Sequence, residues 1–108
     1  MAFDEALAGK IRNAVSHLPC EEKKMFGHLA FMVRGKMCLT AGEDEMMCRL
    51  DPRLHDQEVA GAGCSTVIMR GRPYKGYIHI KIENLQKATE FAHWVNLALD
   101  YNHQLTVL

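Results

Sequence analysis

The chain has 108 residues, of which 48% are hydrophobic and 24% charged, and its 13 basic side chains balance its 13 acidic ones. This length predicts one domain over residues 1–108, with enough buried surface for a core of its own. A net charge of zero disfavours nucleic-acid or membrane partners, because both bind through an excess of basic side chains. No apolar run reaches the roughly 18 residues of a membrane-spanning helix, and the acidic N-terminus lacks a signal-peptide pattern, which predicts a cytoplasmic protein.

Residues 3–18 predict an amphipathic helix. Its apolar side chains recur every three or four positions, at Phe3, Leu7, Ile11, Ala14 or Val15, and Leu18. Asp4 lies where the positive end of the helix dipole favours a carboxylate, and Pro19 ends the helix. The polar residues 20–24 are then interpreted as a connection.

Two apolar runs separated by Arg34-Gly35 predict a β-hairpin. A type I′ turn needs a positive φ at both central residues and strains Arg34, so a bulged three-residue turn remains an alternative. The two-residue turn gives the pairs Met32 with Met37 and Ala30 with Leu39.

A third strand is predicted over Glu45 to Asp51. Keeping apolar side chains together selects the register that pairs Met37 with Leu50, Leu39 with Cys48 and Ala41 with Met46. That register does not oppose Cys38 to Cys48, so no cross-strand disulfide is predicted.

The second half of the chain predicts a helix over 52–63, strands over 66–69 and 77–82, and a last helix over 85–103. Asp51 is the expected N-cap of the first of these helices and Asn84 of the second. A glycine-bounded basic loop, Arg70 to Gly76, joins the two strands. The element order α-β-β-β-α-β-β-α predicts the α+β class, as a two-layer sandwich with a mostly antiparallel sheet of about five strands.

Apolar side chains on both faces of this sheet indicate that something covers each face. The helices are expected to cover Ala30, Met32, Met37, Leu39, Cys48, Leu50, Ile78, Ile80 and Ile82. The other face then carries Leu29, Phe31, Val33, Lys36, Cys38, Met47, Arg49, Tyr77, His79 and Lys81. Large exposed apolar patches usually mark a partner, so we expect a homodimer that buries Leu29, Phe31 and Val33. A loop or terminal segment folded over this patch is the alternative.

The basic loop and the outward sheet face each suggest a further binding site. Arg70, Arg72 and Lys75 in the basic loop suit a phosphate or a carboxylate, although the loop matches no P-loop pattern and a solvated connection is the alternative. The outward aromatic and basic side chains, including Tyr77 and His79, could instead stack single-stranded nucleic acid. The neutral charge and the absence of an RNP-like motif disfavour that reading.

The sequence predicts no catalytic centre, no metal site and no cofactor. The four cysteines form no Cys-x-x-Cys pair and the six histidines lack ligand spacing. Cys64 with a distant histidine is a possible nucleophilic pair, but no local motif accompanies it. Met46-Met47-Cys48 beside Met37-Cys38 could hold Cu(I), and core packing is the interpretation we favour for these residues.

Four blocks of the sequence, in order along the chain, carry a resemblance to a known family. They are Lys24-Met25-Phe26-Gly27, then Leu29-Ala30-Phe31-Met32-Val33 with Gly35-Lys36-Met37, then Gly71-Arg72-Pro73 leading to Lys75-Gly76-Tyr77, and finally Trp94-Val95. Together they resemble the N-terminal domain of the TfoX/Sxy family over nearly the whole chain. His28 departs from the pattern, because a second glycine usually follows Gly27.

The resemblance implies a secretion-chaperone-like α+β fold and no established catalytic residues. Members of the family regulate natural competence in bacteria as co-activators with a cyclic-AMP receptor protein. We therefore expect a non-enzymatic regulatory or protein-interaction domain that forms a homodimer and has a protein partner, with the transcription machinery as a candidate. An anion-binding or single-stranded nucleic-acid-binding module is the alternative.

Overall fold

The computed structural model describes residues 3–25, 27–61 and 63–106, which form two layers. The helices are α1 (Glu5–Ala14), α2 (His55–Val59) and α3 (Ala88–Thr106), with 3₁₀ turns at Pro52–Leu54 and Ile82–Leu85. The strands are β1 (Cys20–Met25), β2 (His28–Val33), β3 (Lys36–Ala41), β4 (Glu45–Arg49), β5 (Cys64–Met69) and β6 (Arg72–Lys81). The helices pack on one face of the sheet, which confirms the predicted α+β class.

The predicted elements extend into residues that the structure does not describe. Phe26 belongs to the first resemblance block and residue 62 to the predicted 52–63 helix, and both lie outside the described residues. No helix in the described part of the chain is long and apolar enough to cross a bilayer.

Within the described residues the sheet has six antiparallel strands in the order β1-β2-β3-β4-β6-β5. The extra strand is β1, and the prediction of a polar connection over residues 20–24 is wrong. β1 pairs with β2 from Cys20 opposite Val33 to Met25 opposite His28. Its charged side chains gave no strand signal because an edge strand needs no buried face, and charge on an edge prevents unwanted pairing.

Both hairpin turns in the described chain that contain Arg-Gly have the type I′ conformation. Arg34 and Gly35 have φ values of 52° and 79°, and Arg70 and Gly71 have 53° and 75°. The first turn confirms the predicted two-residue turn, because Val33 pairs directly with Lys36. The second shows that the predicted basic loop is wrong, because β6 begins at Arg72 directly after a turn whose twist matches its strands.

A β-bulge in the first hairpin decides which side chains face the helices. The register shifts between Phe31 and Met32, so Met37 lies opposite Met32 as predicted, whereas Leu39 lies opposite Phe31 instead of Ala30. Cys38 is the extra residue on β3. Neighbouring side chains point to opposite faces of a strand. This one extra residue therefore puts the side chains of β2 that were predicted to point outward beneath the helices, and those predicted beneath the helices on the outer face.

The predicted exposure of the first hairpin is therefore wrong. Leu29, Phe31 and Val33 are 5%, 0% and 0% exposed and belong to the core beneath the helices. The expected homodimer interface built on these three side chains does not exist as a surface. Conversely, Ala30, Met32 and Met37 were expected beneath the helices and lie outside the core cluster.

Most of the rest of the sheet follows the predicted register, but the predicted pair of Met37 with Leu50 is wrong, because the bulge at Cys38 leaves Met37 outside the core that contains Leu50. Leu39 pairs with Cys48 and Ala41 with Met46, as expected from keeping apolar side chains on one face. Ile78 and Ile80 face the core, also as expected. The thiol of Cys48 donates to the carbonyl oxygen of Trp94 at 3.2 Å, which places this strand directly beneath α3.

The helix ends differ from prediction by a few residues. Asp4 caps α1 by accepting from the backbone N–H of Leu7 at 2.8 Å. Asp51 accepts from the N–H of Arg53 at 2.9 Å, and this confirms it as the expected N-cap. The expected cap at Asn84 is wrong, because residues 82–85 form a 3₁₀ turn and α3 begins only at Ala88.

The side chain of Asn102 links α3 to the first hairpin by hydrogen bonds. The amide of Asn102, which is 2% exposed, donates to the carbonyl oxygen of Val33 at 2.9 Å. Its oxygen accepts from the guanidinium of Arg34 at 3.1 Å. The turn that ends β2 is thus held against the last helix, and the sheet has a fixed orientation beneath the helical layer.

Candidate functional site

The helices of the described chain pack on one face of the sheet, and we call the opposite face the open face. Its members alternate along their strands with core residues and pair with one another across strands. On β2, β3, β4 and β6 the open face consists of Ala30, Met32, Met37, Thr40, Glu45, Met47, Arg49, Tyr77, His79 and Lys81. Glu21 and Lys23 of the edge strand β1 border it, opposite Met32 and Ala30.

The sequence predicted half of this surface. Met47, Arg49, Tyr77, His79 and Lys81 were placed outward, and the pairing of β4 with β6 puts them on the open face. The methionines of the first hairpin were missed because the bulge at Cys38 carries no sequence signal that alternation alone can detect.

The centre of the open face is apolar and adaptable. Met32 lies directly opposite Met37, and Met47 lies opposite Thr40, whose other neighbour is Ala30. All three methionines are half-buried by the side chains around them. Unbranched, polarisable methionine side chains can reshape themselves around a partner, and such side chains are common at docking surfaces.

Two polar atoms in this centre lack a hydrogen-bonding partner among the described residues. They are Oγ1 of Thr40 and Nδ1 of His79, both of which are shielded from water. Nδ1 of His79 does lie 2.8 Å from Oε2 of Glu45, an ion-pair distance without the alignment of a hydrogen bond. Thr40 and His79 both pair with Met47, so these atoms lie in one row across the sheet.

One end of the open face is acidic. Glu45 lies opposite Lys81, with 3.2 Å between its Oε1 and the lysine Nζ, and Asp44 adds a second carboxylate 3.4 Å from the same ammonium. Burial lowers the pKa of His79 despite the opposing effect of Glu45, with His28 and Lys81 lowering it further. The neutral imidazole leaves two carboxylates and one ammonium at this end.

At the other end of the open face, Arg49 and Tyr77 contact two further tyrosines, Tyr74 on β6 and Tyr101 on α3. The guanidinium of Arg49 lies 5.6 Å from the ring centroid of Tyr77 and 5.8 Å from that of Tyr101 on α3. The ring of Tyr74 meets that of Tyr77 edge to face at 6.1 Å. Tyrosine and arginine supply much of the binding energy in protein interfaces, so this end has the composition of a binding hot spot.

The predicted anion-binding residues lie at the tip of the second hairpin. Arg70 and Arg72 flank Gly71 and are exposed, whereas the ammonium of Lys75 pairs with Oδ2 of Asp56 at 3.2 Å. The hairpin also exposes Ile68 and Met69, at 65% and 41%. The tip therefore mixes cations with apolar side chains, and one of the three predicted cations is already paired with a carboxylate.

A separate cleft of about 450 Å³ lies between the helical layer and the start of β5. It brings Cys64 to the same cleft as a histidine, His93, whose Nε2 lies 2.8 Å from Oε1 of Glu58. Burial and the Glu58 carboxylate raise the pKa of the Cys64 thiol, whereas an activated cysteine nucleophile has a lowered pKa. Among residues 3–25, 27–61 and 63–106, no cluster of three His, Cys, Asp or Glu side chains could hold a metal ion.

Comparison with known proteins gives one match. The model of the TfoX N-terminal domain matches residues 15–101, which include every strand and most of α3, whereas α1 lies before the matched range. Neither the curated proteins nor the solved structures contain a match. The match spans most of the 108 residues, and the observed α+β fold is of the class that the resemblance implied. This chain therefore belongs to the TfoX N-terminal domain family.

Proposed function

We propose that this chain is a non-enzymatic regulatory domain of the bacterial cytoplasm that acts by binding a protein through its open face. The observation that carries the proposal is the asymmetry of the sheet. Helices cover one face, whereas the other keeps three methionines at its centre and a tyrosine–arginine cluster at one end. Membership of the TfoX N-terminal domain family supports a regulatory role, with the transcription machinery as the candidate partner.

The composition of the open face favours a protein over a nucleic acid. Methionine, tyrosine and arginine are enriched in protein interfaces, whereas nucleic-acid sites depend on unpaired basic side chains. Lys81 on β6 is paired with Glu45 and Asp44, and Lys23 lies at the edge of this face on β1. Anion or single-stranded nucleic-acid binding is the alternative, and it rests on Arg70, Arg72 and Lys75 of the second hairpin and on the outward side chains Tyr77 and His79.

The experiment compares two lysine substitutions in the native host. Met47→Lys puts a charge in the centre of the open face, and Ala92→Lys puts the same charge on the exposed side of α3. A strain lacking the gene is complemented with the wild type or with either variant, and its transcript profile is measured. We expect Met47→Lys to behave like the deletion and Ala92→Lys to behave like the wild type.

The molecular readout is what co-purifies with each variant after nuclease treatment. The proposal predicts a protein that survives the treatment and is lost from Met47→Lys only. Co-purification of RNA or DNA that depends on Arg70 and Arg72 would favour the alternative. Equal transcript profiles for Met47→Lys and the wild type would contradict the proposed role of the open face.

A further inference from the structure

We propose that a second copy of this chain covers the open face, with the two sheets face to face, their β4 strands antiparallel and Met47 on the two-fold axis. This inference rests on the proposed protein-binding role of the open face and names its occupant. The dimer that the sequence predicted used Leu29, Phe31 and Val33, which are buried in the core, so the interface inferred here consists of different residues.

The charge pattern along β4 carries the inference. Its outward side chains are Glu45, Met47 and Arg49, an acidic, an apolar and a basic residue in sequence. At about 3.4 Å per residue, the two charged positions lie about 7 Å on either side of Met47. A two-fold axis through Met47 and perpendicular to the strand therefore places each Glu45 over the partner's Arg49, and it does so twice.

The neighbouring strand fits the same operation. Lys81 lies beside Glu45 on β6, and Tyr77 lies beside Arg49. The axis that superposes opposite charges on β4 also places the Lys81 ammonium over the partner's Tyr77 ring, a favourable cation–π arrangement. An axis parallel to the strands would instead superpose Glu45 on the partner's Glu45, and like-charge contacts of this kind are unfavourable.

The row of residues on the axis is uncharged over its four central strands, and the like-charge contact of Lys23, which continues the row on the edge strand β1, limits the strength of the dimer. Ala30, Thr40, Met47 and His79 form continuous cross-strand pairs across four strands. Burial lowers the pKa of His79 and favours its neutral imidazole, so these four central residues can meet their own copies without repulsion. The two buried polar atoms without a hydrogen-bonding partner among the described residues also lie in this row.

The size of the face limits the strength of the dimer. The whole sheet, including β1 and β5 beside the open face, has six strands spaced about 4.8 Å apart, each with about five residues, which gives a face of roughly 500 Å² per copy. Two such faces bury roughly 1,000 Å², which is at the lower limit for specific interfaces. We therefore expect a reversible dimer whose population depends on concentration in the micromolar range. The charged edge strand β1 disfavours the competing edge-to-edge assembly.

Charge reversal tests the geometry directly. Arg49→Glu and Glu45→Arg each replace both attractive contacts by repulsive ones in their own homodimer, so each variant alone should dimerise at least about tenfold more weakly than the wild type. In an equimolar mixture, the mixed dimer has one native pair and one pair with exchanged charges, and both are attractive. Sedimentation equilibrium should show that the mixture recovers dimerisation to within a few-fold of the wild type.

The controls separate misfolding from loss of contact. A variant that does not fold cannot be rescued by mixing, and circular dichroism checks each chain. Lys87→Glu, an exposed charge reversal on the helical side, should leave dimerisation unchanged. Met47→Lys provides a second variant, because it places two like charges on the axis and should be monomeric.

Several results would overturn the inference. They are a wild type that stays monomeric at several hundred micromolar, reversal variants that dimerise like the wild type, or a mixture that does not recover. The failures of the two proposals are distinguishable. A monomeric wild type whose Met47→Lys variant still loses regulation would overturn the dimer alone, whereas a dimer whose Met47→Lys variant keeps regulation would overturn the proposed function alone.

Discussion

The two faces of this sheet are built from adjacent residues but have different properties. Phe31 is fully buried beneath the helices, and its neighbour Met32 is half-buried on the open face. Apart from Met46, the large side chains of the covered face are branched or aromatic and pack in fixed rotamers, whereas the centre of the open face uses methionine. One set of strands thus presents a rigid core on one side and an adaptable surface on the other.

The faces also differ in how their polar groups are satisfied. On the covered side, Asn102 and His55 are buried and each makes two hydrogen bonds. On the open face, atoms of Thr40 and His79 are buried without a hydrogen-bonding partner among the described residues. Buried polar groups in folded proteins are normally hydrogen-bonded. The covered side follows this rule, whereas the two unsatisfied atoms just named support the proposal that the open face is completed by a partner.

The largest expected contrast between the faces comes from truncating neighbouring residues of β2. Phe31→Ala removes a fully buried ring and should lower the free energy of unfolding by about 3–5 kcal/mol. Met32→Ala, one residue away, should lower it by less than about 1 kcal/mol in the monomer. Urea unfolding at low protein concentration measures both. Equal losses would show that the faces have been assigned wrongly.

Two histidines extend the contrast to polar contacts. Nδ1 of His55 accepts from the N–H of Gly76 at 2.9 Å, so its Nε2 carries the proton and donates to Oγ1 of Thr66 at 2.8 Å. His55→Ala leaves the Gly76 N–H unpaired and opens a cavity, with an expected loss of about 2–4 kcal/mol. His79→Ala on the open face should cost under about 1 kcal/mol. A larger loss for His79 would contradict this account.

The thiols of the covered face predict how stability depends on pH. Burial raises the pKa of Cys38 to about 12 from an ordinary value of 9.0, and burial also raises that of Cys48. Above pH 9 the unfolded chain loses these protons while the folded chain keeps them, so the free energy of unfolding should fall as pH rises toward 12. Each thiol contributes at most about 1.4 kcal/mol per pH unit.

The matched variant for the pH prediction is Cys38→Ala. Its free energy of unfolding, measured by urea titration between pH 9 and 11, should fall less steeply than that of the wild type, because one of the two buried thiols is absent. The same slope in both proteins would indicate that Cys38 is accessible to solvent in the folded state.

The smallest effect is expected where neither face is involved. The guanidinium of Arg12 on α1 donates to Oε1 of Glu22 on β1 at 2.8 Å, but the pair is solvent-exposed. Because solvent and salt screen such pairs, Arg12→Ala should change the urea midpoint by no more than the error of the measurement. A clear loss of stability would mean that β1 depends on this contact for its pairing.

Sequence patterns could predict the class of the fold and the half of the open face on β4 and β6. The alternation of apolar side chains fixes the pairing of Leu39 with Cys48 and the outward position of Met47 and Arg49. These strands are regular, so a period of two holds from end to end.

The rest depends on features that a periodic pattern does not contain. The bulge at Cys38 exchanges the faces of β2, and β1 is a strand because its partner supplies backbone hydrogen bonds, not because of its own side chains. The contact between Arg49 and Tyr101 joins residues far apart in sequence and exists only once α3 has packed on the sheet. Tertiary packing, not local preference, determines these parts of the site.

Oxidation of two adjacent methionines tests the asymmetry of the sheet most directly. Met46 is fully buried on the covered face, and Met47 is half-buried on the open face. With hydrogen peroxide and tandem mass spectrometry, we expect Met47 to oxidise much faster than Met46 in dilute protein and to become protected as the concentration rises through the dimer range. Equal rates for the two residues, or a Met47 rate that does not depend on concentration, would contradict an open face that docks a second copy.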